Sequence, residues 1–182
     1  MCPSSKKGFE KSFFKKIIKD SNKKTAIAIA ITNKWIKTHK KDFEWILENK
    51  NYFDITWINH SSTHYYDKNE KDLEKNFILH HTNNFEVEIL EVEKMLILNG
   101  EIPSLLFRFP GLVSNKYLIE ELIKKYSLIP IGTNNWLAKE EKSIETGDII
   151  LIHGNLNEHK GIEILNNNIS KYNLAPILDS LK

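Results

Sequence analysis

The sequence predicts an α/β fold built on a parallel sheet or barrel, and three observations predict it. Short apolar runs without polar alternation, such as TAIAIAI at residues 25–31, read as strands covered on both faces. Stretches with apolar residues at helical spacing lie between them. The two kinds alternate along 182 residues with no internal repeat and no low-complexity linker, as expected of one domain spanning 1–182.

Taken in order, GFEKSFFKKIIKDS sets Phe9, Phe13, Ile17 and Ile18 on one helical face, and the 25–31 strand follows. THKKDFEWILENK returns to helical period with Phe43, Ile46 and Leu47 inward, and YFDITWI is the second strand. A longer helix runs from about Asn84 to Leu98 on the stripe Phe85, Ile89, Val92 and Leu96, stopped by Asn99-Gly100. SLLFRF is a third strand closed by Pro110-Gly111, NKYLIEELIKKY a helix, and LIPIG a fourth strand. GDIILIHG is a fifth strand, GIEILNNNI a helix, and NLAPILDSLK supplies a last short strand and helical turn.

Composition narrows the function classes. The chain is 41% hydrophobic and 27% charged, which suits a globular protein with a substantial core. Its 26 basic and 24 acidic residues leave a net charge of +2, so electrostatics make no case for nucleic acid or a membrane surface as partner. No apolar run approaches the roughly 18 residues of a membrane span. The opening MCPSSKKGFEK has no apolar signal-peptide core. The one cysteine, Cys2 beside Pro3, permits no internal disulfide and reads as incidental.

In parallel α/β folds, ligands bind at the carboxyl ends of the strands. Here those ends carry Asn33, then His60 and His64, then Arg108 to Gly111, then Trp136, then His153. Each follows a different strand, so the fold would gather them. Alone, His60 and His64 read as turn residues; with His153 and the strand-end pattern, the metal-ligand reading goes ahead. Arg108 as a structural arginine paired with a buried acid is a close second. Trp35, Trp45 and Trp57 read as packing residues, and His39, His80, His81 and His159 as surface residues. Asp54 and Asp148 fall at the opposite ends of their strands.

The motifs HSSTH, FRFPG and DIILIHG, in this order and spacing, resemble those of the polysaccharide deacetylases, the NodB-homology carbohydrate esterases. TAIAIAITNKWIKTHKKDFEWIL is similar to that family's second strand and following helix, and IGTNNWLAKE to its tryptophan segment. The resemblance runs from Cys2 to Leu181. It implies an irregular, incomplete (β/α) barrel of the NodB / glycoside hydrolase–deacetylase type that removes acetyl groups from a carbohydrate polymer. It implies a divalent metal, zinc in the usual case, on His60 and His64. It implies His153 as general acid and Arg108 as the residue that orients the catalytic base. Trp136 and Leu151 would wall the acetyl methyl group, and Phe109, Pro110 and Gly111 would shape the groove floor. RFPG departs from the family's commoner arginine-proline-proline-aromatic-glycine turn.

The resemblance also exposes a gap. The family carries two aspartates at the end of its first strand, one the base and one a metal ligand. The segment similar to CPSSKKGFEKSFFKK comes just after them. The expectation is therefore a deacetylase chain with its first strand missing, its metal affinity weakened and its activity alone absent or nearly so. Two other readings stand beside it: a carbohydrate-binding pseudoenzyme, and a metal-binding protein without hydrolysis. Neither the glycan nor the compartment is written in the chain.

Overall fold

The computed structural model describes residues 1, 8–20, 23–139 and 143–181, which leaves Cys2, Pro3 and the segment through Lys7 outside the described residues. The expected alternation is present. Helix α1 (Lys11–Asp20) precedes strand β1 (Thr25–Ile31), and helices α2 (Asn33–Thr38) and α3 (Lys40–Glu48) lead to β2 (Phe53–Asn59). After a long loop come α4 (Phe85–Leu98), β3 (Pro103–Phe107), α5 (Lys116–Tyr126) and β4 (Ile129–Pro130). Strands β5 (Asn135–Trp136) and β6 (Ile150–Leu151) and helix α6 (His159–Asn168) complete the set.

The strands form two parallel sheets, one ordered β1-β2-β3-β4 and one of β5 and β6. The β1–β2 ladder runs in unbroken register from Thr25 opposite Phe53 to Ile31 opposite Asn59. Continuous apolar runs explain this: both faces of these strands are covered, so the side chains need not alternate. One core gathers Phe13, Phe14 and Ile17 of α1 with Ile29, Ile31, Trp35, Phe43 and Trp57. A second places Phe107 and Phe109 against Ile89, Leu118 and Leu122. Trp35 and Trp57 are buried packing residues, as their sequence context suggests.

Several boundaries differ from expectation, each for a local reason. The helix expected over THKKDFEWILENK forms as α3, and a further short helix, α2, precedes it across His39, capped by Thr32, whose hydroxyl accepts the Trp35 N–H at 3.0 Å. The third strand stops at Phe107, before Arg108-Phe109, because the chain turns into Pro110-Gly111. The strands expected over LIPIG and GDIILIHG shrink to two residues each, and β5, which pairs with β6, has no apolar run to announce it. The tail forms a helical turn, Ile177–Leu181, and among the described residues no strand. His80 is half-buried and stacks on Tyr65 at 4.2 Å, and His39 stacks on Trp35 at 5.3 Å, so neither is a plain surface residue.

Candidate functional site

The turn after β2 is wired by side chains. Asn59 is buried; its amide donates to the Ile89 carbonyl at 3.0 Å and to Glu93 at 2.6 Å, and its side-chain oxygen accepts the Ser61 N–H. Burial raises the Glu93 pKa, and the bond from Asn59 opposes that shift. Ser61 accepts the His64 N–H at 3.0 Å. Thr63 gives both its N–H and its hydroxyl to the buried carboxylate of Glu88, at 2.9 and 2.8 Å. Ser62 is held from the other side by Asn33 and by the Lys34 N–H. Ser61 and His64 sit at positive φ, 67° and 48°, a conformation that these bonds hold in place.

The consequence is a fixed pair of imidazoles, with His60 and His64 ring centroids 4.8 Å apart at 72°. The Nδ1–H of His60 donates to the Arg108 carbonyl at 2.7 Å. A carbonyl only accepts, so this bond places the proton on Nδ1 and leaves Nε2 as the lone-pair nitrogen. Burial holds the His60 pKa well below its ordinary value; the neighbouring His64, the Met1 amine and the Arg108 guanidinium act in the same direction, and the bond to the Arg108 carbonyl acts against them.

Arg108 joins the two strands at this end. Its N–H donates to the Asn59 carbonyl at 2.8 Å, and its guanidinium donates to the Gly132 carbonyl at 3.1 Å. Phe109 is buried edge-on against Phe107, and Pro110 is buried beside it. Gly111 stands at φ +63°, where a Cβ would meet the Phe77 ring at 2.6 Å. That ring lies edge-on to His64 at 6.2 Å, so the glycine lets the turn close beside the histidine.

The third part is a corner that includes one residue the sequence reading missed. His153 donates through Nδ1 to Glu158 at 2.5 Å, and Trp136 donates its indole N–H to the same carboxylate oxygen at 2.8 Å. Glu158 thus fixes the tautomer of one residue and the orientation of the other. Burial lowers the His153 pKa, Glu158 pulls it back up, and Arg108 and the Met1 amine lower it further. The available signal was a glutamate five residues beyond the histidine, which is too common a spacing to single out. The Trp136 ring is 5.4 Å from His153, and the Lys139 ammonium lies 3.7 Å over its face.

His60, Arg108, Leu151 and His153 line one cavity of about 1020 Å³. His64 and Trp136 border it only through their contacts with His60 and His153. Phe109 belongs to a separate depression of about 170 Å³ with Leu112, Pro130 and Gly132. Asp148 begins the β6 segment and is tied to Asn134 and Asn135. The expected divalent metal meets an incomplete donor set. Among the described residues there is no group of three or more His, Cys, Asp or Glu side chains that could hold an ion. Two imidazoles fall short of the three protein ligands usual at catalytic zinc, the Met1 amine and the Arg108 guanidinium add positive charge near His60, and the Glu88 carboxylate is engaged by Thr63. The described residues therefore do not fit a resident catalytic metal.

No family model matches the chain. Its fold is that of the carbohydrate esterases of family 4. It superposes on a family 4 carbohydrate esterase from Streptomyces lividans, in complex with acetate, with a TM-score of 0.61 and 13% identity, covering 92% of this chain and 84% of that one. It superposes on a mutant of a CE4 family pseudoenzyme with a TM-score of 0.63 and 15% identity, covering 95% of this chain and 62% of that one. At these identities the likeness establishes the α/β fold. Among the described residues, no helix is long and apolar enough to cross a membrane.

Proposed function

We propose that this chain is a glycan-binding protein on a deacetylase fold, with the whole of 1–182 acting as one unit and without a complete hydrolytic centre of its own. The observation that carries this reading is the mismatch within the site. The His60–His64 pair and the His153–Glu158 pair are both built and oriented, yet among the described residues no third ligand joins the first pair. In this reading the ligand is an N-acetylated sugar polymer. Trp136 and Leu151 wall an acetyl methyl group, and Phe109, Pro110 and Gly111 shape the groove beside it. His153 and Arg108 hold the places of a general acid and of a residue that orients a base, and the described carboxylate beside His153, Glu158, is engaged by His153 and Trp136.

A second reading is favoured by one specific observation. His153 is held through Nδ1 by the Glu158 carboxylate, which leaves its other ring nitrogen for proton transfer and offsets part of the lowering of its pKa by burial. On that reading the chain serves zinc-dependent removal of acetyl groups from a polysaccharide, with His153 as the general acid. Both are tested by incubating the chain with an N-acetylglucosamine tetramer, with zinc and with chelator. Released acetate is measured alongside glycan binding by calorimetry. The proposal expects binding that survives chelator and no release of acetate. Zinc-dependent turnover by this chain alone would overturn it.

A further inference from the structure

The loop that carries His60 and His64 continues to residue 84 before α4 begins, much longer than the few residues that connections in a compact domain usually need. The site described above uses only its start. The remainder is built rather than slack. Asn76 is buried and wires it from the middle. Its amide donates to the Asp67 and Glu70 carbonyls at 2.7 and 3.0 Å, and its side-chain oxygen accepts the Asp67 and Phe77 N–H groups at 3.0 and 2.8 Å. Asn83 donates to the Phe77 carbonyl at 2.6 Å. These bonds hold Phe77 at φ 51°, a left-handed conformation that a bulky residue rarely adopts.

The strained backbone sets the place of one ring. Phe77 lies edge-on to His64 at 6.2 Å, occupies the space that a side chain at Gly111 would need, and stacks on Tyr66 at 5.2 Å and 31°. Tyr65 stacks instead on His80. Tyr66 is thus backed by Phe77 on one side and stays 57% exposed. A ring left that open contributes little burial to the fold, so stability does not account for the strain that supports it. We propose that Tyr66 is a stacking platform for a pyranose unit of the glycan, set apart from the cavity of His60, Arg108 and His153, so that the protein reads a polymer rather than a single sugar; this rests on the glycan reading above. One face of a pyranose presents C–H groups, which suit the electron-rich face of an aromatic ring while the sugar hydroxyls stay in water. The platform is already ordered, so binding costs it little conformational entropy. The ring contacts from His60 to His64, Phe77 and Tyr66, at 4.8, 6.2 and 5.2 Å, keep the platform within a short oligosaccharide's reach of the cavity.

The test uses the full chain and compares the N-acetylglucosamine dimer with the tetramer by calorimetry. The platform predicts that the tetramer binds about tenfold more tightly than the dimer. Tyr66→Ala should remove that advantage and leave the affinity for the dimer unchanged. Tyr66→Phe keeps the ring face and should keep the advantage. On the unaltered protein, the Tyr66 ring resonances should move when the tetramer is added and stay in place with the dimer. That NMR measurement decides the matter should the alanine variant fold poorly. A tetramer advantage that survives Tyr66→Ala overturns the platform, as does equal affinity of the parent chain for both lengths. So does a loss that falls equally on dimer and tetramer. Tetramer binding that ignores Tyr66 overturns the platform alone, whereas no binding of either oligomer overturns the glycan reading with it.

Discussion

The two histidine sites of this molecule are built by different means. His60 and His64 follow a seven-residue strand in continuous register, and their turn hangs on the buried Glu88 and Asn59. His153 follows a strand of two residues and is positioned by a single half-buried carboxylate, Glu158. The first is anchored by sheet and core, and the second by one hydrogen-bond network. The difference teaches where perturbation should be felt: as stability at the first, and as proton affinity at the second.

The largest effect is expected at Glu88. Its replacement by alanine strands the Thr63 N–H and hydroxyl, and should cost about 2–3 kcal/mol in urea denaturation. Glu158→Ala, at a half-buried position, should cost clearly less; equal costs would erase the contrast. Gly111→Ala comes next, at about 1–3 kcal/mol, because a side chain there meets both a left-handed backbone and the Phe77 ring. The variant should also shift the His64 ring resonances.

The pH dependence sharpens the same contrast. His60 and His153 both have pKa values below the ordinary 6.5 in the folded chain. The unfolded chain therefore binds more protons below that value, and stability should fall as pH drops from about 7 toward 5. His60→Asn should flatten this slope more than His153→Asn, because His60 is the more deeply buried; thermal melts across the range check it. The smallest effect is expected from Glu158→Gln, which should lower the His153 pKa further with little loss of stability. A proton titration of the histidines by NMR reads it directly.

The β1–β2 sheet and α4 to α5 were legible because apolar runs and helical stripes are dense there, and the structural neighbours share the fold. The short strands β4, β5 and β6 were not, since two residues carry no periodicity and their pairing is decided by tertiary contacts. Of the site, the strand-end rule found His60, Arg108 and His153, which line one cavity. It missed Glu158 and Glu88, whose roles come from long-range or loop hydrogen bonds rather than from a motif.

The most direct test of the account is a zinc titration of the purified chain by calorimetry near pH 7.5. With two imidazoles, flanking cations and no third ligand among the described residues, the dissociation constant should be weaker than about 10 µM, roughly −7 kcal/mol. Nanomolar zinc binding abolished by His60→Ala would contradict it and restore a metal-dependent hydrolase.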